Sequence, residues 1–187
     1  MARTVGIGYQ NYKELIENNV FYIDKTLFIK EWWENFDKVT LITRPRRFGK
    51  TLNMSMVEQF FSVDYAGQGK LFENMKIWED EAYRQMQGTY PVISLSFANV
   101  KENTYAGTKT RLCQILADVY GKNRFLRDSG VLVEREVEYF DRVSEFMEET
   151  DATIALNKLC EFMQRYYGKS PIILLDEYDT PMQEAYV

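Results

Sequence analysis

"LITRPRRFGKTL", residues 41–52, joins an apolar run to the start of an amphipathic one through a dense basic loop. Its second half, Gly49-Lys50-Thr51, has the form of the end of a phosphate-binding loop. A loop of pattern G-x-x-x-x-G-K-S/T places glycine at position 44, and this chain has Arg44 there. A β-carbon at that point restricts the turn that glycine would make freely. Pro45 offsets this by fixing its own φ and pushing Arg44 toward an extended backbone.

The surroundings give the loop its meaning. Upstream, "KVTLIT" (38–43) is short, apolar and β-branched, and predicts a buried parallel strand. Downstream, Met56, Val57, Phe60 and Phe61 follow helical spacing. In a strand–loop–helix setting the helix N-terminus presents unpaired amides and a positive dipole end to an anion. Gly49 lets the backbone approach phosphates, Lys50 reaches the β- and γ-oxygens, and the Thr51 hydroxyl can ligate Mg²⁺. The competing reading of these residues alone is a basic helix start.

A second motif, "PIILLDEYD" (171–179), raises the weight of the first. An apolar run ending in Asp176-Glu177 predicts a buried strand with two carboxylates at its C-terminal tip. One can orient Mg²⁺, the role we assign to Asp176, and the other can polarise an attacking water, the role we assign to Glu177. The alternative is an acidic strand end followed by a turn. Two such motifs in this order imply one ligand edge of a parallel sheet.

The rest of the chain fits an α/β protein. "YPVISLSF" (90–97) predicts a third strand. Helical stripes occur at Leu112, Ile115, Leu116 and Val119, at Val137, Phe140, Val143 and Met147 (a helix over about 134–149), and at Leu156, Leu159, Cys160, Met163 and Tyr167, with Asp151 as its N-cap. Strands separated by helices imply right-handed crossovers and a parallel sheet with helices on both faces. Residues 1–37 form a separate element, in which "NYKELIENN" and "LFIKEWWEN" read as helices around an extended "VFYIDKT". Residues 38–187 form the main domain, and 64–89 an aromatic, charged connection within it.

Composition removes several function classes. The chain has no histidine, which excludes Ser-His-Asp and Cys-His catalysis and imidazole zinc sites. A net charge of -5 gives no global attraction to nucleic acid. No apolar run is long enough to span a membrane, and "MARTVGIGYQ" lacks a secretory signal. Cys113 and Cys160, on apolar helical positions, read as core thiols in a reducing cytosol, so the expected location is cytoplasmic.

Taken together, "YIDKT", "VTLITRPRRFGKT", "PVISLSF" and "IILLDEYDTP" resemble the bacterial AAA-ATPase-like family, with its Arg-Pro-Arg-Arg-Phe-Gly-Lys-Ser/Thr loop. The resemblance spans essentially the whole chain. It implies that Arg44 is the family's normal variant. It also implies a P-loop NTPase fold of the additional-strand type, binding ATP and Mg²⁺, with Asp176 and Glu177 as the acidic strand-end pair. The nucleotide contacts would come from Arg44, Pro45, Arg46, Arg47, Phe48, Gly49, Lys50, Thr51 and Leu52. Lys50 and Glu177 are the catalytic candidates, and Thr51 and Asp176 the metal ligands. Asp24-Lys25-Thr26 matches a second family signature. It places Asp24 near the nucleotide, on its adenine side; a helix N-cap is the equal alternative.

The resemblance further implies a longer protein. A later strand carrying a polar sensor residue would insert between the loop strand and the acidic strand, and a C-terminal nuclease-like domain would often follow. The chain is therefore expected to be an incomplete ATPase domain. No Asp-x-Lys or Glu-x-Lys tripeptide occurs in it, so this portion carries no such nuclease site.

Other readings stay open from the sequence. Arg44, Arg46 and Arg47 can serve phosphate, a nucleic-acid backbone or a solvated face. The chain can be a non-catalytic scaffold that self-associates or meets a partner through aromatic surface. Trp32-Trp33 and Tyr166-Tyr167 read as core or interface aromatics rather than stacking platforms. "EREVEYFDR" (134–142) reads as a solvated helix face.

Overall fold

Asn11 begins the first helix: its side chain accepts the Glu14 amide and caps α1 (Tyr12–Glu17). The computed structural model describes residues 5–43, 45 and 47–184. It divides into two units, with the boundary between Val92 and Ile93.

The first unit holds α1, α2 (Leu27–Glu34), α3 (Lys50–Phe61), three 3-10 turns (Val63–Tyr65, Gly69–Phe72, Lys76–Glu79) and α4 (Glu81–Met86). Its interior is aromatic. Tyr12 stacks on Phe72 at 5.2 Å, and Phe60 meets Phe72 edge-on at 5.2 Å. Trp33 packs on Phe61 at 5.2 Å and on Tyr90 at 5.0 Å. Phe60, Phe61 and Phe72 are wholly buried, each contributing about 2–3 kcal/mol by leaving water. The end of α3 is tied to the chain ahead of the first strand. Val63 N–H donates to Tyr90 O and Tyr90 N–H to Phe61 O, forming a parallel bridge between Ser62 and Tyr90. Gly88 stands against Ala66 with φ +70°, where a β-carbon would come within 2.5 Å of Ala66 Cα.

The second unit follows β1 (Val92–Ser96) through α5 (Tyr105–Lys122), α6 (Phe125–Asp128), α7 (Glu134–Arg142) and α8 (Glu149–Tyr167) to β2 (Ile172–Asp176) and the short α9 (Thr180–Glu184). Thr104 caps α5 by accepting the Gly107 amide, and α8 stops at Gly168 in the left-handed region. The two strands pair directly. Phe97 N–H, just past β1, donates to Asp176 O at the end of β2. C-terminal end therefore meets C-terminal end, and the pair is parallel. Ile93 and Leu95 enter a core with Val119, Tyr120, Leu126, Phe140, Leu159 and Phe162. The buried Tyr120 hydroxyl donates to Ala155 O at 2.8 Å, joining α5 to α8. Cys113 on α5 is 2% exposed and Cys160 on α8 is half-buried; both are free, and burial pushes both thiols up.

Several expectations are met. Helices stand over the stripes in α3, α5 and α8, and strands over 92–96 and 172–176 within the two apolar runs assigned to them. Trp32 and Trp33 pack on Phe61.

Others are corrected. Residues 38–43 form no strand; Val39 is 87% and Leu41 61% exposed. The run has the composition of a strand but pairs with no neighbour among the described residues, and a strand exists only through its ladder. Among the described residues of the second unit, helices cover one sheet face rather than both. Burial alternates along β1, with Ser94 and Ser96 exposed, and Ile173 and Leu175 on β2 are 41% and 43% exposed. The helix expected over 134–149 ends at Arg142, although Met147 is still buried, from a loop. α8 begins after Glu148, so Asp151 is a first-turn residue and not its N-cap; the carboxylate accepts Arg142 Nε at 3.0 Å instead.

Candidate functional site

The sequence places its site residues at two element ends, one in each unit. At the start of α3, Gly49 is the N-cap residue, with φ +76°, and no side chain caps the helix. Glycine has no side chain to cap the first turn of α3, and the N-terminal end of a helix suits an anion. Arg47, one position earlier than Phe48, also has a positive φ, +68°. Outside glycine that region costs about 1–2 kcal/mol, so the loop backbone is held against its preference. Pro45, Arg47 and Phe48 are exposed; Gly49, Lys50, Thr51 and Leu52 are half-buried. Among the described residues Lys50 and Arg47 form no ion pair. Arg44 and Arg46, the other two members of the expected cluster, lie outside the described residues.

At the tip of β2, Asp176 closes the strand and Glu177 turns the chain with φ +49°. Glu177 N–H donates to Asp176 Oδ1 at 3.1 Å. Thr180, nearly buried, donates its amide to Glu177 O at 3.0 Å, and its hydroxyl lies 3.4 Å from Glu177 Oε2. Apolar strand residues anchor the tip, and the turn into α9 sets the exposed Glu177 carboxyl just beyond it. Asp176 and Glu177 thus stand side by side at a strand end, as the sequence predicts.

Asp24-Lys25-Thr26 lies in the first unit, and its outer members are committed to the chain. Asp24 Oδ1 accepts the Thr26 amide at 2.8 Å and the Thr26 hydroxyl at 2.7 Å. Asp24 Oδ2 accepts the Lys76 amide at 2.8 Å, and the fully buried Thr26 hydroxyl accepts the Ile77 amide at 3.2 Å. Burial pushes the Asp24 carboxyl up, but the bonds from Lys76 and Thr26 outweigh it and hold it below its ordinary value. Thr26 occupies the N-cap position of α2 without capping it through its side chain. The motif is therefore a latch between residues 24–26 and 76–77. Lys25, to which the sequence reading of this signature gave no role of its own, is exposed, and its ammonium approaches Gly49.

The donor chemistry fits a nucleotide and a hard cation. Mg²⁺ prefers a few oxygen ligands and keeps phosphate and water for the rest. The first unit offers a hydroxyl of this donor type at Thr51 and the second a carboxylate at Asp176. Among the described residues no group of three or more Cys, Asp or Glu side chains forms a cage of its own. No helix among them is long and apolar enough to cross a membrane.

The family model described as AAA-ATPase_like, Predicted AAA-ATPase, matches residues 6–187, and the chain belongs to that family. No curated protein and no solved structure matches it.

Proposed function

We propose that the chain is the nucleotide-binding part of a P-loop ATPase of the additional-strand type. Membership of a predicted ATPase family supports a nucleotide as its ligand. The observation that carries the reading is the start of α3: a left-handed glycine at the N-cap, followed at once by a lysine with no ion-pair partner among the described residues.

In this reading the amides from Gly49 to Leu52 and the Lys50 ammonium bind the phosphates of ATP. Lys50 offsets charge on the β- and γ-oxygens as the terminal bond breaks. Thr51 and Asp176 would each offer an oxygen ligand to Mg²⁺, which when bound would neutralise phosphate charge and orient the reacting groups. Glu177 orients the attacking water and accepts its proton. Pro45, Arg47 and Phe48, with Arg44 and Arg46, shape the loop and add positive charge. Asp24 acts indirectly, by holding its neighbour in place. Hydrolysis drives a conformational switch in the intact protein.

The test is equilibrium titration of ATP with Mg²⁺ into wild type and Lys50→Ala. We expect loss of at least tenfold in affinity from removing this charged contact. Equal affinity for the two proteins would discard the assignment.

A further inference from the structure

The Lys25 ammonium lies 3.9 Å from the point where a β-carbon on Gly49 would sit. Apart from Gly49's chain neighbours, no other heavy atom of the described residues lies within 4 Å of that point. Among the described residues beyond its chain neighbours, Lys25 is thus the side chain that faces the open side of this glycine. Both residues belong to the first unit.

Its setting explains why it stays there. The residues on either side are fixed, Asp24 by the amides of Thr26 and Lys76 and Thr26 by its buried hydroxyl. The Lys25 backbone amide itself lies 3.4 Å from the Tyr22 hydroxyl as donor. Three donors occupy the adjacent Asp24 carboxylate. Lys25 has no ion pair among the described residues, whereas Lys30, on the following helix, binds Asp80 at 2.8 Å. An ammonium without a carboxylate among the described residues, set beside the glycine that opens α3, adds positive charge there that an anion would relieve.

We propose that Lys25 is a second phosphate-binding ammonium of the nucleotide site, facing the loop from across Gly49. The proposal rests on the nucleotide reading above and adds a residue to it. It also turns the Asp24-Lys25-Thr26 segment toward the phosphates rather than the adenine. Asp24 and Thr26 are then positioning residues, and Lys25 is the one that touches ligand.

Titration calorimetry with two probes, Mg²⁺–ATP and inorganic triphosphate, on wild type, Lys25→Ala, Lys25→Gln, Lys25→Arg and Lys50→Ala tests it, with thermal melting as the control for folding. Lys25 is exposed, so its variants should melt with wild type. We expect Lys25→Ala and Lys25→Gln to weaken both probes about tenfold, the loss of one charge-assisted contact, and Lys25→Arg to recover most of it. Wild-type affinity in Lys25→Ala and Lys25→Gln, with loss only in Lys50→Ala, would overturn the role of Lys25 and leave the nucleotide reading standing. Loss toward ATP but not toward triphosphate would place Lys25 at the base and overturn the phosphate contact. Failure of wild type to bind either probe would remove both readings.

Discussion

The Thr26 hydroxyl donates to Asp24 at 2.7 Å while accepting the Ile77 amide at 3.2 Å, so a single fully buried oxygen is used in both directions. Replacing it with a methyl group leaves a buried amide without its acceptor and Asp24 with one donor fewer. Thr26→Val should therefore cost about 1–3 kcal/mol in urea unfolding, whereas Thr26→Ser, which keeps the hydroxyl, should cost less than half of that. Equal midpoints for the Val and Ser variants would mean that the latch carries no stability.

The same latch predicts an acid dependence. The Asp24 carboxyl is held below its ordinary value in the folded chain. Its contribution is therefore complete above the unfolded value of about 3.9 and is lost as pH falls through the lowered folded value. The stability difference between wild type and Asp24→Asn should be constant from neutral pH down to about 5 and shrink below about 4. Chemical denaturation across that range reads it; a difference that grows on acidification would contradict the sign.

Gly88 gives a steric prediction. Its φ is +70°, and a β-carbon would lie 2.5 Å from Ala66 Cα, a backbone atom that cannot swing aside. Gly88→Ala combines left-handed strain with overpacking and should cost about 2–4 kcal/mol. Gly130, with φ +80° and nothing within 4 Å, provides the control: Gly130→Ala should cost only the backbone part, about 1–2 kcal/mol.

Glu177 separates strain from chemistry. At φ +49° it occupies a region that glycine enters freely. Glu177→Gly should raise stability by about 1 kcal/mol. On the proposed ATPase reading, Glu177→Gln should leave nucleotide binding in place and abolish hydrolysis. A stabilised, inactive Glu177→Gly alongside an unstabilised, inactive Glu177→Gln would show that the tip holds strain for the sake of its carboxylate.

What the sequence made legible follows from range. α5 and α8 announce themselves by period, and β2 by an apolar run with a turn at its end. The start of α3 was visible because Gly49-Lys50-Thr51 are neighbours in the chain. The run at 38–43 misled because β-branched residues describe a strand's surface and not its partner; Val39 has the same identity paired or exposed. Asp151 looked like a cap because capping residues are common one turn before a stripe, but Arg142, nine residues back, takes its carboxylate. The latch was hidden for a stronger reason. Asp24 meets Lys76 across 52 residues, through a backbone amide that any amino acid could offer. The Asp24-Lys25-Thr26 signature marked the segment, but only the folded chain shows that its outer members are occupied and that Lys25 between them is exposed.

Cys113, 2% exposed on α5, remains a protonated thiol for as long as its helix stays packed. A soluble maleimide can reach that sulfur only when α5 detaches, so the unmodified protein carries its own clock. Mass spectrometry of the labelled chain would time the excursions of the second unit without any introduced probe, and would do so with or without nucleotide present.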